Sequence, residues 1–241
     1  MYKISTSRRH DTSQHNRAVV LLLILYIMMT DYKASHPGSI TAEFAVILID
    51  YFFGLKSISP REDSTVIDLG FGEGFFLETL SRFYRDQGRV QFWGVELNAT
   101  LFEVSRERLE KLNDRRMHLL NEDFCKLSES LIERINSCDN VFIYVNNDGF
   151  RMADSATNNI ADTTETRLVK TLSIYPVGTV LVSLGLLPID EDGWELQRFC
   201  FDTTDIEPLC YAPNRTEMNV YRYKKLSGVV ARSSGRSVIR V

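Results

Sequence analysis

The sequence predicts an α/β fold in which a mostly parallel sheet of seven strands carries helices on both faces and ends in an antiparallel hairpin. Three observations lead there. From Thr41 onward strand and helix patterns alternate, the order that builds a parallel sheet from βαβ units. A glycine-rich turn, Gly70-Phe71-Gly72-Glu73-Gly74, joins the first strand to its helix, at the end of the sheet where such folds bind ligands. Toward the C-terminus the pattern changes to two stretches of period 2 separated by turn residues, which is the pattern of a hairpin.

Taken in order, a helix is predicted over Thr41 to Leu55, because Phe44, Ile47, Leu48, Tyr51 and Phe52 recur at helical spacing and Gly54 provides a stop. Ser64 to Leu69 is a β-branched run of the buried parallel kind. The helix predicted after it, Phe75 to Arg85, places Phe76, Leu80, Phe83 and Tyr84 on one face. Val90 to Val95 is the second predicted strand. In the helix expected over Ala99 to Leu112, Leu101, Val104, Leu109 and Leu112 face inward and the charges outward. A short strand over Met117 to Leu120, a helix over Ser128 to Ile135 and the apolar strand Val141 to Val145 follow. A polar stretch from Asp154 to Thr166 leads into a helix ending near Tyr175, and Pro176-Val177-Gly178 turns the chain into a strand over Thr179 to Leu184. Trp194 to Phe201 and Met218 to Tyr223 alternate as the closing antiparallel pair.

With 241 residues, 44% of them hydrophobic and 25% charged, the chain can bury a substantial core, which excludes fibrous and disordered classes. Its net charge of -4 excludes a surface that is basic throughout. Positive charge gathers instead near the C-terminus, where Arg222, Lys224, Lys225, Arg232, Arg236 and Arg240 occur without an acid. Cys125, Cys138, Cys200 and Cys210 form no C-x-x-C pair, so free thiols and no metal site are expected. The apolar run Ala18 to Met29 falls short of the roughly 20 residues that span a bilayer. A helix packed on the domain is expected there and no membrane attachment, with a signal segment as the alternative. The sequons at Asn98 and Asn214 matter only under that alternative.

The glycine turn carries the chemistry. A diphosphate-binding loop needs Gly or Ala at position 75, where this chain has Phe75. Asp68 and Glu73 would repel a diphosphate but attract the ammonium and sulfonium charges of S-adenosyl-L-methionine. Glu96, 28 residues after Asp68, ends the second strand, where an acid can accept both ribose hydroxyls. Asp123 and Phe124, after the third strand, offer a carboxylate for the adenine amino group and a ring for its face. Three such features at successive strand ends predict S-adenosyl-L-methionine as cofactor, and the count and order of the strands, five parallel and then a hairpin, predict a class I, Rossmann-like methyltransferase fold. Asp68, Gly70, Gly72, Gly74, Glu96, Asp123 and Phe124 are the cofactor candidates.

At the end of the fourth predicted strand, Val141-Phe142-Ile143-Tyr144-Val145-Asn146-Asn147 followed by Gly149-Phe150 resembles the F-V-N-N-x-x-F signature of the non-SET histone H3 lysine methyltransferases, the disruptor-of-telomeric-silencing family. The resemblance runs from about Arg17 to Leu226. It includes Asp68-Leu69-Gly70-x-Gly72-x-Gly74, Gly94-Val95-Glu96 and Glu122-Asp123-Phe124, matching the family's D-L-G-S-G-x-G, G-V-E and G-D-F. The chain departs from the family at Phe71, where a serine hydroxyl is lost, and at Gly38-Ser39-Ile40-Thr41, which keeps only Thr41 of the Y-G-E-T loop.

The resemblance implies a histone-lysine N-methyltransferase in which Thr41 closes on the cofactor, Asn146 contacts the cofactor and sits beside the reacting methyl and amine as a catalytic residue, and Tyr221, the second catalytic candidate, lines a lysine channel. It further implies a nuclear monomer acting on histone H3 in the nucleosome, with the basic C-terminal tail touching DNA phosphates. The expected organisation is a lead segment over residues 1–40, a methyltransferase domain over 41–226 and a flexible basic tail over 227–241. Three alternatives remain open: a class I methyltransferase for a non-histone protein or small molecule, a non-catalytic chromatin-binding member, and a secreted protein.

Overall fold

A computed structural model describes residues 40–54, 59, 61–84, 89–147, 163–189, 193–202, 217–226 and 237–240. The apolar run 18–29, the sequon at Asn214 and Cys210 lie outside them. Strands β1 (Ser64–Leu69), β2 (Val90–Val95), β3 (Met117–Leu120), β4 (Asn140–Val145) and β5 (Val180–Ser183) pair in parallel. The antiparallel strands β6 (Trp194–Asp202) and β7 (Glu217–Lys225) complete the predicted hairpin. With a further strand, β8 (Ser237–Arg240), the sheet order is β3-β2-β1-β4-β5-β7-β6-β8, so the chain reverses direction across the sheet between β1 and β4. Their carboxyl ends therefore frame the crevice where open α/β sheets take ligands.

Helices divide between the two faces as a right-handed winding requires. On one side Phe44, Leu48 and Phe52 of the first helix and Phe76 and Leu80 of the next pack over Val66, Phe92, Phe142 and Val182. On the other, Leu131 and Ile135 of α4 (Glu129–Ser137), with Leu168 and Leu172, cover Ile67, Leu69, Val95, Ile143 and Leu181. Consecutive residues of β1 thus feed opposite cores, which is why all six of its positions are buried, the polar Ser64, Thr65 and Asp68 included. At the amino end of β1, Arg134 grips Asp63 with bonds of 2.8 and 2.6 Å and reaches Thr65 at 2.6 Å.

Three expectations need correction. The first helix begins as α1 (Ala42–Ile47) but widens into a π-helix over Leu48–Phe53, ending at left-handed Gly54. The extra residue in the turn brings Phe53 into the core and leaves Tyr51 54% exposed, so Tyr51 is not part of the buried stripe. In α3 (Ala99–Glu110) the buried stripe is Phe102, Ser105 and Leu109, while Val104 is 58% exposed. Ser105 sits inward because its hydroxyl has a backbone partner, a bond no hydrophobicity pattern can register. Lastly, Ser237–Arg240, expected in a tail without regular structure, forms β8 and pairs in parallel with β6. Among the described residues the sheet therefore has eight strands, the eighth covering Gln197 to Cys200 of the edge that β6 would otherwise present.

Candidate site at the carboxyl ends of the sheet

The loop after β1 turns on left-handed backbone at Gly72 and Gly74, with φ of 51° and 73°. At Gly74 a side chain is excluded twice, since an added Cβ would also lie 2.7 Å from Leu109 Cδ1. At Gly72 an added Cβ would meet nothing within 4 Å, so the loop faces open space there. The N–H groups of Gly70 and Phe71 donate to the Val95 carbonyl at 2.7 and 3.3 Å, tying the loop to β2. α2 (Phe75–Phe83) starts immediately after the loop. Phe71 is buried against Phe102 with ring centroids 6.0 Å apart. Its ring edge would come within 2.7 Å of a Cβ at Gly94, so packing wedges the loop against β2.

Two carboxylates underlie this loop. Glu96, 8% exposed, accepts the Gly72 N–H at 2.9 Å on one oxygen and the Asn98 N–H at 2.8 Å on the other. A carboxylate has about four lone-pair sites, so each oxygen keeps one for an incoming hydroxyl. Asp68, 2% exposed, lies at the carboxyl end of β1. Burial, with repulsion from Glu96 adding to it, holds its carboxyl well above the usual carboxylate range. Among the described residues no cation pairs with it, so a positively charged ligand beside it would stabilise its ionised form. Two carboxylates and no basic side chain in the turn do not suit a diphosphate.

Asp123 follows β3. Its Oδ1 accepts the Cys125 N–H at 2.9 Å, and its Oδ2 takes Arg167 Nη2 at 2.5 Å. Burial works against its charge, but the Cys125 bond and Arg167 outweigh burial and hold the carboxyl below its ordinary value. Phe124 is buried, with a ring carbon 3.9 Å from the Cβ position on Gly70, so its ring borders the glycine loop. Asn98 is not a free surface amide: its Oδ1 caps α3 by accepting the N–H groups of Thr100 and Leu101 at 3.0 and 3.2 Å.

Asn146 stands one residue beyond Val145, whose register partner is Leu69 just before Gly70. Asn146 and the glycine loop are therefore neighbours at the strand ends. Val145 also aligns with Ser183 of β5, which aligns with Tyr221 of β7. Tyr221 is thus in the same row, two strands or about 10 Å from β4. The Arg198 guanidinium lies over its ring, 6.0 Å from the centroid. Thr41 caps α1, its hydroxyl accepting the Phe44 N–H at 3.2 Å; Gly38 and Ser39 of the same segment lie outside the described residues.

Pattern reading did not identify four site residues. Ser105 donates to the Gly72 carbonyl at 2.6 Å, and Arg108 donates to the Glu73 carbonyl while covering the Phe75 ring at 4.5 Å. Asn147, 2% exposed, bonds Glu165 at 3.1 Å and accepts the Gly185 N–H at 2.6 Å. Arg167 belongs to α5 (Thr164–Thr171). Only Asn147 carried a sequence signal, the paired asparagines at the strand end.

No family model matches the chain, and no curated protein matches it in sequence. In three dimensions it is similar to a Listeria monocytogenes protein assigned as a class I S-adenosylmethionine-dependent methyltransferase, at 11% identity and a TM-score of 0.57, over 92% of this chain and 71% of that one. It is similar also to the methyltransferase subunit of a type I restriction–modification system from Streptococcus thermophilus, at 16% identity and a TM-score of 0.52, over 87% of this chain and 48% of that one. TrmN from Thermus thermophilus gives 14% identity and a TM-score of 0.52, over 77% of this chain and 49% of its own. The chain has the class I methyltransferase fold.

Proposed function

We propose that the chain is an S-adenosylmethionine-dependent N-methyltransferase acting on a lysine amine of histone H3. The observation that carries the cofactor half is the glycine loop bound to Glu96 above the buried, cation-seeking Asp68. Asp68 with the loop would hold the methionine end, Glu96 the ribose, and Asp123 with Phe124 the adenine. When bound, the cofactor supplies a methyl group carried on a sulfonium. The protein's own work is then positioning and exclusion of water, since a displacement on a sulfonium needs a neutral, aligned amine rather than a strong base.

Asn146 would accept a hydrogen bond from that amine and aim its lone pair, without being able to protonate it. With Arg198 over the Tyr221 ring that face already holds a cation, so Tyr221 would line a channel for the neutral amine and would not gather a cationic lysine. A positive charge at the ring favours the deprotonated amine, the form that reacts. The acceptor rests on the V-N-N resemblance at β4. Of the basic residues toward the C-terminus, Arg222 donates to the Phe52 carbonyl and Lys225 to the carbonyls of Leu172, Ser173 and Tyr175, so the contact with DNA phosphates would fall to exposed Lys224 and to the arginines beyond it.

The test is transfer of label from tritiated S-adenosylmethionine to nucleosomes and to free histones at low and moderate salt, with Gly72→Arg as the cofactor-blocked control. Label on histone H3 is expected, lost in the control and reduced at least about 100-fold in Asn146→Ala with cofactor affinity retained. Wild-type transfer by Asn146→Ala would remove that residue's role. Cofactor binding with label only on another acceptor would overturn the histone assignment and leave the methyltransferase reading intact.

A further inference from the structure

The ion pair between Arg167 and Asp123 joins residues 44 positions apart and sits where the base of the proposed cofactor would lie. The two side chains are 36% and 23% exposed, so the pair is at the wall of the crevice rather than deep in the core. Asp123 presents acceptors only; Arg167 presents donors only, five N–H groups in a planar fork, of which the carboxylate engages one. An acceptor beside a donor complements the edge of adenine, whose 6-amino group donates and whose N1 accepts. A 6-oxopurine reverses both, offering a carbonyl to the carboxylate and an N1–H to the guanidinium.

Arg167 is also held in place by its helix. Thr163 caps α5 by accepting the Thr166 N–H at 3.2 Å. Glu165 in the first turn bonds Asn147, which is locked by the Gly185 N–H. One short helix therefore links the ends of β3, β4 and β5 and fixes the backbone from which Arg167 reaches Asp123.

We propose that Arg167 is a specificity-determining residue for the base of the cofactor, reading the purine edge together with Asp123 by a donor–acceptor pair. This rests on the S-adenosylmethionine reading above. Arg167 donates to the ring nitrogen while fixing Asp123 to accept from the amino group. Opposite polarity at both positions makes the pair a discriminator rather than a general anchor, because a site built for hydrogen bonds rejects a ligand that leaves its groups unmatched.

The experiment is calorimetric binding of S-adenosylhomocysteine and of its 6-oxo counterpart, S-inosylhomocysteine, to wild type, Arg167→Met and Arg167→Lys, with melting temperatures recorded. Wild type is expected to prefer the adenosyl ligand by at least about 100-fold. In Arg167→Met the preference should fall below about 10-fold, chiefly through weaker adenosyl binding. Arg167→Lys keeps the charge and the fold but loses the fork, and should fall between the two. An unchanged preference in a folded Arg167→Met or Arg167→Lys protein overturns the inference and leaves the cofactor reading standing. Wild type binding neither ligand overturns both.

Discussion

Gly74→Ala isolates the geometry that holds the glycine loop. Alanine at φ 73° pays the left-handed penalty of about 1–2 kcal/mol. Its methyl group would also stand 2.7 Å from Leu109 Cδ1, and Leu109 is buried, so a neighbour must move in a filled core. Overpacking of that kind adds about 1–3 kcal/mol. The expected loss is therefore about 2–5 kcal/mol, or a melting point lower by roughly 5–15 °C for a chain of this size. Gly72→Ala is the control, because φ is again positive but a Cβ there meets nothing within 4 Å. It should cost only about 1–2 kcal/mol. Urea and thermal unfolding measure both. Leu109→Ala alone should cost about 2–5 kcal/mol, yet in combination with Gly74→Ala the losses should fall short of additive, since the new methyl enters the space vacated. Equal losses at positions 72 and 74, or strict additivity with Leu109→Ala, would refute the reasoning.

Asp68→Asn tests the buried carboxylate through pH. Because its folded carboxyl is raised above the unfolded 3.8, the folded state binds the proton more tightly, and wild-type stability falls as pH rises from about 4 toward the raised value. The asparagine variant should lack that fall, matching wild type near pH 3.5, exceeding it at pH 7 and binding S-adenosylmethionine at least about 10-fold more weakly; a variant less stable than wild type at pH 7 alone contradicts this. Tyr223→Phe removes the oxygen that accepts the buried Leu187 N–H at 2.8 Å. The orphaned donor should cost about 1–3 kcal/mol in urea unfolding, and a change within about 0.5 kcal/mol would show that Leu187 finds another partner.

Much of this architecture was legible locally. Period and length placed β1 through β5, and Gly54 marked the end of the first helix, because backbone hydrogen bonds and hydrophobic burial impose their own spacing on the chain. The glycine loop, Glu96 and Asp123 could be located from strand ends alone, since a parallel sheet delivers every such end to one side. The π-turn at Leu48–Phe53 and the inward Ser105 were not legible: the first depends on how Phe52 and Phe53 pack against Phe199 and Phe142, the second on a carbonyl 33 residues away.

The sequence by itself determined the fold class, the carboxylates offered to a ligand and the asparagine pair at the fourth strand, because these depend on residue type and on neighbours within a turn or a pleat. Only the tertiary structure decided which groups those residues face. Arg167 reached Asp123, Arg198 settled over Tyr221, and Asn147 closed on Glu165 and Gly185. Ion pairs and hydrogen bonds between distant residues act within about 3–6 Å, and only the packing of helices on the sheet brings such groups that close.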